Sequence, residues 1–518
     1  MQKNSTVASP FISLITVSVL LALFVIPVQA QIPIPQQEGA LPVPAWIGSP
    51  ATPKPISSPP IPINSYMGRS GWSNTHNDPY MTDTYFSGGP LGTDGMEVFS
   101  AYLGSETEEL ADCVTITFDS EGHLVTACPG RVEVPLYLLD PTTLKTLAKF
   151  DLPTKKGGTD ISGSGYFYID HEDRAIVPTG RQIWVISHDH TAFHLDSIYE
   201  LEAYIPAEDG IASSLPDYEG RLWFVAKSGV VGAIDRARYP EPGSVNIQIL
   251  EGEKIENSFS MDETGGVFVV TDHAMYRFDA GANGEPVITW RESYDRGTQL
   301  KPGQYSMGSG TTPTLMGTEY VAITDNAEPQ MQVVVYRRAK VVEGPRLVCA
   351  VPVFEPGRSA TENSLIATDR SIIVENNYGY SSAYVTSEGK TTEPGMARID
   401  LDENGGHVVW TSSEHIPSVV SKMSLANGLI YTYSKDPGPE QTDAWYFTVI
   451  DFETGATVYK QLAGTGMGYN NHYASIYLSP DGKTAYVGTL FGIAAMRDKS
   501  GPSGWTEAWS HLDKTERN

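Results

Sequence analysis

Eight short β-rich units recur along the chain at intervals of about fifty residues, which restricts the possible folds more than any other feature. Each unit opens with a small or alternating strand, passes an acidic or glycine turn, and enters a strongly β-branched or aromatic strand. CVTITFDSEGHLVTA, GYFYIDHEDRAIVPT, SSLPDYEGRLWFVAK, NSFSMDETGGVFVVTD and ASIYLSPDGKTAYVGT are examples. The units start near Cys113, Gly165, Ser213, Asn257, Thr312, Ser364, Ser421 and Ala474. That spacing matches one four-stranded propeller blade. A β-sandwich does not repeat eight times at this length, and a helical solenoid would show a 3.6-residue periodicity that is almost absent here. The expected fold is all-β: a β-propeller of eight four-stranded blades, or seven if one unit serves as a capping strand. The ring closes either with Thr506–His511 or with an N-terminal strand near Met96–Tyr102.

The N-terminus has the three regions of a secretory signal peptide. Lys3 lies in a short polar start, an apolar stretch runs from Phe11 to Pro27, and Val28-Gln29-Ala30 offers small residues for cleavage. Residues 1–30 are therefore expected to be removed, leaving a periplasmic or secreted protein with no membrane insertion after cleavage. Residues 31–64 form a Pro-rich linker that favours extended geometry. Residues 65–110 are an aromatic, turn-rich strap expected to pack on the propeller, which occupies 111–518. A net charge of −27 argues against nucleic acid or an anionic membrane as partner, because both would repel the chain.

Of the three cysteines, two flank one hairpin. A turn centred on Ser120-Glu121 pairs Asp119 with Gly122 and sets Cys113 opposite Cys128, close enough for a disulfide in an oxidising compartment. Cys349 is left over in VCAVPVF and reads as a buried apolar residue rather than a nucleophile.

IYLSPDGKTAYVGT, Ile476 to Thr489, resembles the YVTN-type repeat of bacterial surface and periplasmic propellers. IDFETGATVYKQ is similar to the blade-ending turn of pyrroloquinoline-quinone-like propellers. The resemblance implies the fold and no particular activity. Quinoprotein dehydrogenases of that superfamily carry a repeated docking tryptophan and usually a vicinal cysteine pair. Here the docking position holds Tyr459 and no cysteines are adjacent, which argues against a quinone cofactor.

In a propeller, the entry to each innermost strand and the exit of the second strand lie on one face. Polar residues there converge on the central channel. Glu256-Asn257-Ser258 and Glu362-Asn363-Ser364 open two inner strands. The second strands exit into Asp272-His273, Asp325-Asn326 and Glu375-Asn376-Asn377, and Asn471-His472 enters the last unit. The other exits are blander, so a site is expected towards the fourth to sixth blades. Glu256, Asn257, Asp325, Asn326, Glu362 and Asn363 are the candidate metal ligands, since their oxygens suit a hard cation such as Ca²⁺. His273 and His472 are candidates for proton transfer. Asn376, Asn377, Tyr378 and Asn471 are candidates for ligand contact, and Tyr380 and Tyr469 are further aromatics of that kind. Gluconolactonase-like and paraoxonase-like propellers, which these positions resemble, use Glu, Asn and Asp in this way. The competing interpretation of each residue is an Asx-turn that caps backbone amides.

His188 and His190, with His194 nearby, suggest a two-ligand arrangement on one strand face, but they join outer strands far from the channel and read as a solvated turn. His76 reaches the channel only if its segment folds over the propeller face. No GxSxG elbow, Walker loop, CxxC pair or HExxH is present. The functional expectation is an exported propeller binding a small or polymeric ligand on one face. A divalent-metal-dependent lactonase or esterase is the alternative, and a scaffold for a protein partner the weaker one.

Overall fold

The computed structural model describes residue 1 and residues 31–69, 71–154 and 164–499. The chain forms eight antiparallel blades of four strands. Blades 1 to 7 span 115–151, 168–200, 211–249, 260–293, 314–352, 366–412 and 422–465. Blade 8 takes three strands from 476–498 and its outermost strand, Met96–Tyr102, from the N-terminal side. The ring thus closes by the N-terminal alternative, and part of the expected strap belongs to the propeller. The competing segment Thr506–His511 and the expected signal peptide lie outside the described residues.

The strand sequences follow from their position. Second strands are covered on both faces by neighbouring blades and read as continuous apolar runs, such as the fully buried Leu222–Ala226. Fourth strands face solvent and carry polar residues; Phe193–Glu200 is exposed through most of its middle. Turns repeat as well. Asp119, Asp170, Asp217 and Asp262 each end an inner strand, and each Oδ1 accepts the backbone N–H groups two and four residues on. Each of these acids thus makes an Asx-turn.

The first of these turns corrects the expected hairpin register. Thr115 pairs with Ala127 and Phe118 with Leu124, one residue out from the pairing that puts Asp119 opposite Gly122. Gly122 adopts φ 90°, and the extra residue it accommodates shifts the register. The Cys113–Cys128 disulfide still forms across the strand ends. Cys349 is free and partly buried.

Two tryptophans lock blades together. Trp290 Nε1 and Arg277 Nη1 both donate to the carbonyl of Arg338 in blade 5. Trp410 Nε1 and Arg398 Nη1 do the same to Phe452 in blade 7. Tyr459 is fully buried, and Trp46 of the Pro-rich segment stacks on it at 4.7 Å. Trp46–Gly48 also adds a fifth strand to the outer edge of blade 7.

Residues 64–69 and 71–85 thread across the ring where the inner strands end. Their carbonyls accept from Phe118, Ile169, Met261, Leu315, Ala367, Met423 and Leu425. Asn64 Nδ2 donates to Pro216, and Trp72 Nε1 donates to Leu478. Every blade is therefore tied to this one segment, which plugs that end of the channel. The path is tight enough that Asn77, Met81 and Asp83 take positive φ, which non-glycine residues adopt only when the surroundings impose it.

Candidate functional site: the central channel

The plug leaves a cavity of about 320 Å³ that is lined by residues at the entries to the inner strands. Thr75 and His76 of the plug line it from below. Glu256-Asn257 of blade 4, Glu362-Asn363-Ser364 of blade 6 and His472-Tyr473 of blade 8 line its walls, with Tyr166 from blade 2 and Tyr305 from the loop before blade 5. Four of the six expected metal-site residues therefore face one space, together with one of the two expected histidines.

Glu362 receives a hydrogen bond from the Tyr305 backbone N–H at 3.0 Å. Burial pushes its carboxyl up to about 8, and the charge of Glu256 adds to the rise. Near neutrality it is chiefly a carboxylic acid. Behind it, Asn363 is held by Glu375 and by the carbonyl of Val419 through its Nδ2. Its Oδ1 is buried without a hydrogen-bond partner among the described residues, which is costly for an acceptor unless something occupies the cavity. Glu375 is itself pushed up to about 7 by burial. Asn257 Oδ1 accepts from the Tyr166 hydroxyl at 3.4 Å.

His76 was not among the expected site residues, because only long-range threading of its segment brings it here. Its Nε2 lies 3.1 Å from Ser364 Oγ and 3.3 Å from Thr312 Oγ1. Its Nδ1 lies 3.2 Å from both oxygens of Asp83. This is a hydroxyl–imidazole–carboxylate relay, the order needed to take a proton from the serine. Lys422 pairs with the same Asp83, and its Nζ donates to the Thr75 carbonyl at 2.5 Å, so part of the carboxylate charge is already neutralised. His472 bonds the Tyr380 hydroxyl through Nδ1 at 3.0 Å, and burial lowers it to about 4, leaving it neutral.

The remaining expected residues are turned to structural tasks. Asp325 accepts from Gln332 and Ala327 backbone N–H groups and from Gln332 Nε2; burial raises it to about 6. Asn326 and Asn376 each donate to two backbone carbonyls. Asn377 accepts from Thr361 and from the backbone N–H of Glu362, and so props the cavity residue from outside. Tyr378 donates its N–H to Asn376 Oδ1, and Asn471 is fully buried against Ser418 and Ala474. His273 sits between Asp272 and Arg296, outside the cavity. Tyr380 and Tyr469 are buried, so the aromatics facing the cavity are Tyr166, Tyr305 and Tyr473. Tyr305 is 61% exposed and its ring lies 5.3 Å from that of Tyr473, marking the cavity rim.

No protein-family model matches the chain. It is 29% identical over 336 residues to an uncharacterized protein of Archaeoglobus fulgidus, a match covering 58% of this chain and 63% of that protein's length. Among solved structures it is similar to the dihydro-heme d1 dehydrogenase NirN, with a TM-score of 0.43 and 11% identity over 71% of this chain and 68% of that one. It is also similar to a functionally unknown protein from Desulfotomaculum acetoxidans, with a TM-score of 0.39 and 10% identity over 64% of this chain and 95% of that one.

Proposed function

We propose that this protein is an exported propeller that binds a small, positively charged ligand in the central cavity. The observation that carries the proposal is that Glu256 and Glu362, from different blades, line one cavity and interact electrostatically there, beside the rings of Tyr166, Tyr305 and Tyr473. A cation between the two carboxyls lets Glu362 release its proton and ionise beside Glu256, and tyrosine faces add attraction to a positive centre. The chain's net charge of −27 favours approach of such a ligand. Export is supported by the N-terminal sequence and by the Cys113–Cys128 bond, which suits an oxidising compartment. The test is ligand binding compared between the native protein and a Glu256→Gln/Glu362→Gln variant.

A second reading, hydrolysis of an ester or lactone, is favoured by two specific features. Glu256, Asn257, Glu362 and Asn363 offer oxygen donors of the kind Ca²⁺ takes, and Asn363 Oδ1 lacks a partner among the described residues. Beside them His76 is placed to accept a proton from Ser364. A divalent ion held there would polarise a substrate carbonyl, while His76 would hold the proton at Nε2. Bound calcium that disappears in the double variant, with esterase activity abolished by Ser364→Ala, would favour this reading. A protein that binds organic cations but no calcium, and hydrolyses no ester, would exclude it.

A further inference from the structure

The turns that end the inner strands of blades 1, 2 and 3 share one construction, and blade 1 departs from it in a way that points to a ligand. In blades 2 and 3 the residue four positions after the turn aspartate is an arginine, Arg174 or Arg221, which pairs with Oδ2 of Asp170 or Asp217. Blade 1 has His123 instead, with Nδ1 2.9 Å from Asp119 Oδ2. An arginine can only neutralise the aspartate, whereas an imidazole can also ligate a metal.

Two more imidazoles approach this turn. His188 and His190 come from the hairpin between the third and fourth strands of blade 2. The His190 ring lies 5.1 Å from that of His123 and 6.0 Å from that of His188. Ligand atoms of Asp119, His123 and His190 all lie within 4.8 Å of one another. The His188 side chain is only 3% exposed, and its Nε2 stands 3.7 Å from Asp119 Oδ2. Neither of its ring nitrogens has a hydrogen-bond partner among the described residues. A buried imidazole with both nitrogens unsatisfied is costly, and a metal ion at the cluster would satisfy one of them.

We infer that Asp119, His123, His188 and His190 form a binding site for one divalent transition-metal ion, zinc above all. One carboxylate oxygen and three imidazole nitrogens make a four-ligand tetrahedral set. Ligand atoms around such an ion stand roughly 3.3 Å apart for bonds of about 2.0–2.1 Å. Closure is needed from His188, which lies outside that 4.8 Å group, as well as from His190, which is exposed on a turn with φ 68°. Local sequence marks His188 and His190 as a turn, and the neighbouring blade that brings Asp119 and His123 beside them is far away in the chain. The ion would staple the hairpins of blades 1 and 2 on the plugged face of the ring, away from the channel cavity.

The experiment uses untagged protein stripped with chelator and titrated with Zn²⁺ against a chromophoric competitor, and with Co²⁺ followed by visible absorption. One equivalent of each metal is expected, with the intense d–d bands of tetrahedral Co²⁺. His190→Ala, exposed enough to leave the fold intact, is expected to weaken zinc more than about tenfold. His188→Gln should do the same, while His194→Ala, which removes only a partner of Asp189, should not. The Glu256→Gln/Glu362→Gln variant should bind zinc normally, separating this site from the cavity. Absence of stoichiometric zinc in the native protein, or unchanged affinity in His190→Ala, would overturn the inference.

Discussion

Asp83 and Lys422 form an ion pair in which neither side chain is exposed to solvent. Asp83 belongs to the plug and Lys422 to the inner strand of blade 7, so the pair bonds the plug to the ring. Removing one partner leaves a buried charge, which is far worse than removing both. Lys422→Met is expected to cost about 3–5 kcal/mol in chemical denaturation, and Lys422→Met/Asp83→Leu to recover much of it. A cost within about 1 kcal/mol for Lys422→Met would mean that the plug is held chiefly by its backbone bonds.

Glu362 gives stability a definite pH dependence. Its carboxyl is raised from 4.5 to about 8, so between these values the folded chain holds a proton that the unfolded chain has released. The stabilisation is fully present below about pH 4.5 and is lost as the pH rises through about 8. Glu362→Gln keeps a neutral side chain at every pH. The expected result is that stability of the native protein relative to this variant falls from about pH 5 to about pH 8. Parallel curves for the two proteins would show that Glu362 is ionised throughout.

The same group links proton release to ligand capture. A cation binds the carboxylate better than the acid, so affinity should rise with pH up to about 8 and level off above it. In calorimetry near neutrality the heat should depend on buffer ionisation enthalpy, because one proton leaves on binding. A heat independent of buffer would place the cation away from Glu362.

The Cys113–Cys128 bond closes a loop with a sequence separation of 15. A loop of that size is worth about 3 kcal/mol when the unfolded chain is constrained. Cys113→Ala/Cys128→Ala is expected to lose up to that amount in urea denaturation, and reductant should lower the native midpoint towards that of the variant. A native midpoint insensitive to reductant would contradict this.

The architecture was legible because blade periodicity is local: the inner strands begin at Thr115, Tyr168, Ile211, Ser260, Thr314, Ile366, Lys422 and Ile476, each within a few residues of the expected starts. The cavity was legible only in part. Glu256 and Glu362 precede inner strands, and the geometry of a blade carries such positions to the channel. His76 gave no local signal, since it reaches the cavity through a segment that bonds all eight blades in an order no sequence window contains. Asp325 and Asn326 misled because an exit aspartate or asparagine serves its own turn as readily as a ligand. The hairpin slip at Gly122 has a similar origin, since nothing in the strand pattern distinguishes a two-residue turn from one with a bulge.

The most direct test of the channel site is thermal unfolding in the presence of a library of small metabolites spanning cations, neutral polar molecules and anions, run on the native protein and on Glu256→Gln/Glu362→Gln. A ligand that binds only the folded state raises the melting temperature with the logarithm of its concentration once that exceeds the dissociation constant. The expected result is that stabilising compounds are cations and that the double variant no longer responds to them. Stabilisation by anions, or by cations equally in both proteins, would contradict a cation site between Glu256 and Glu362.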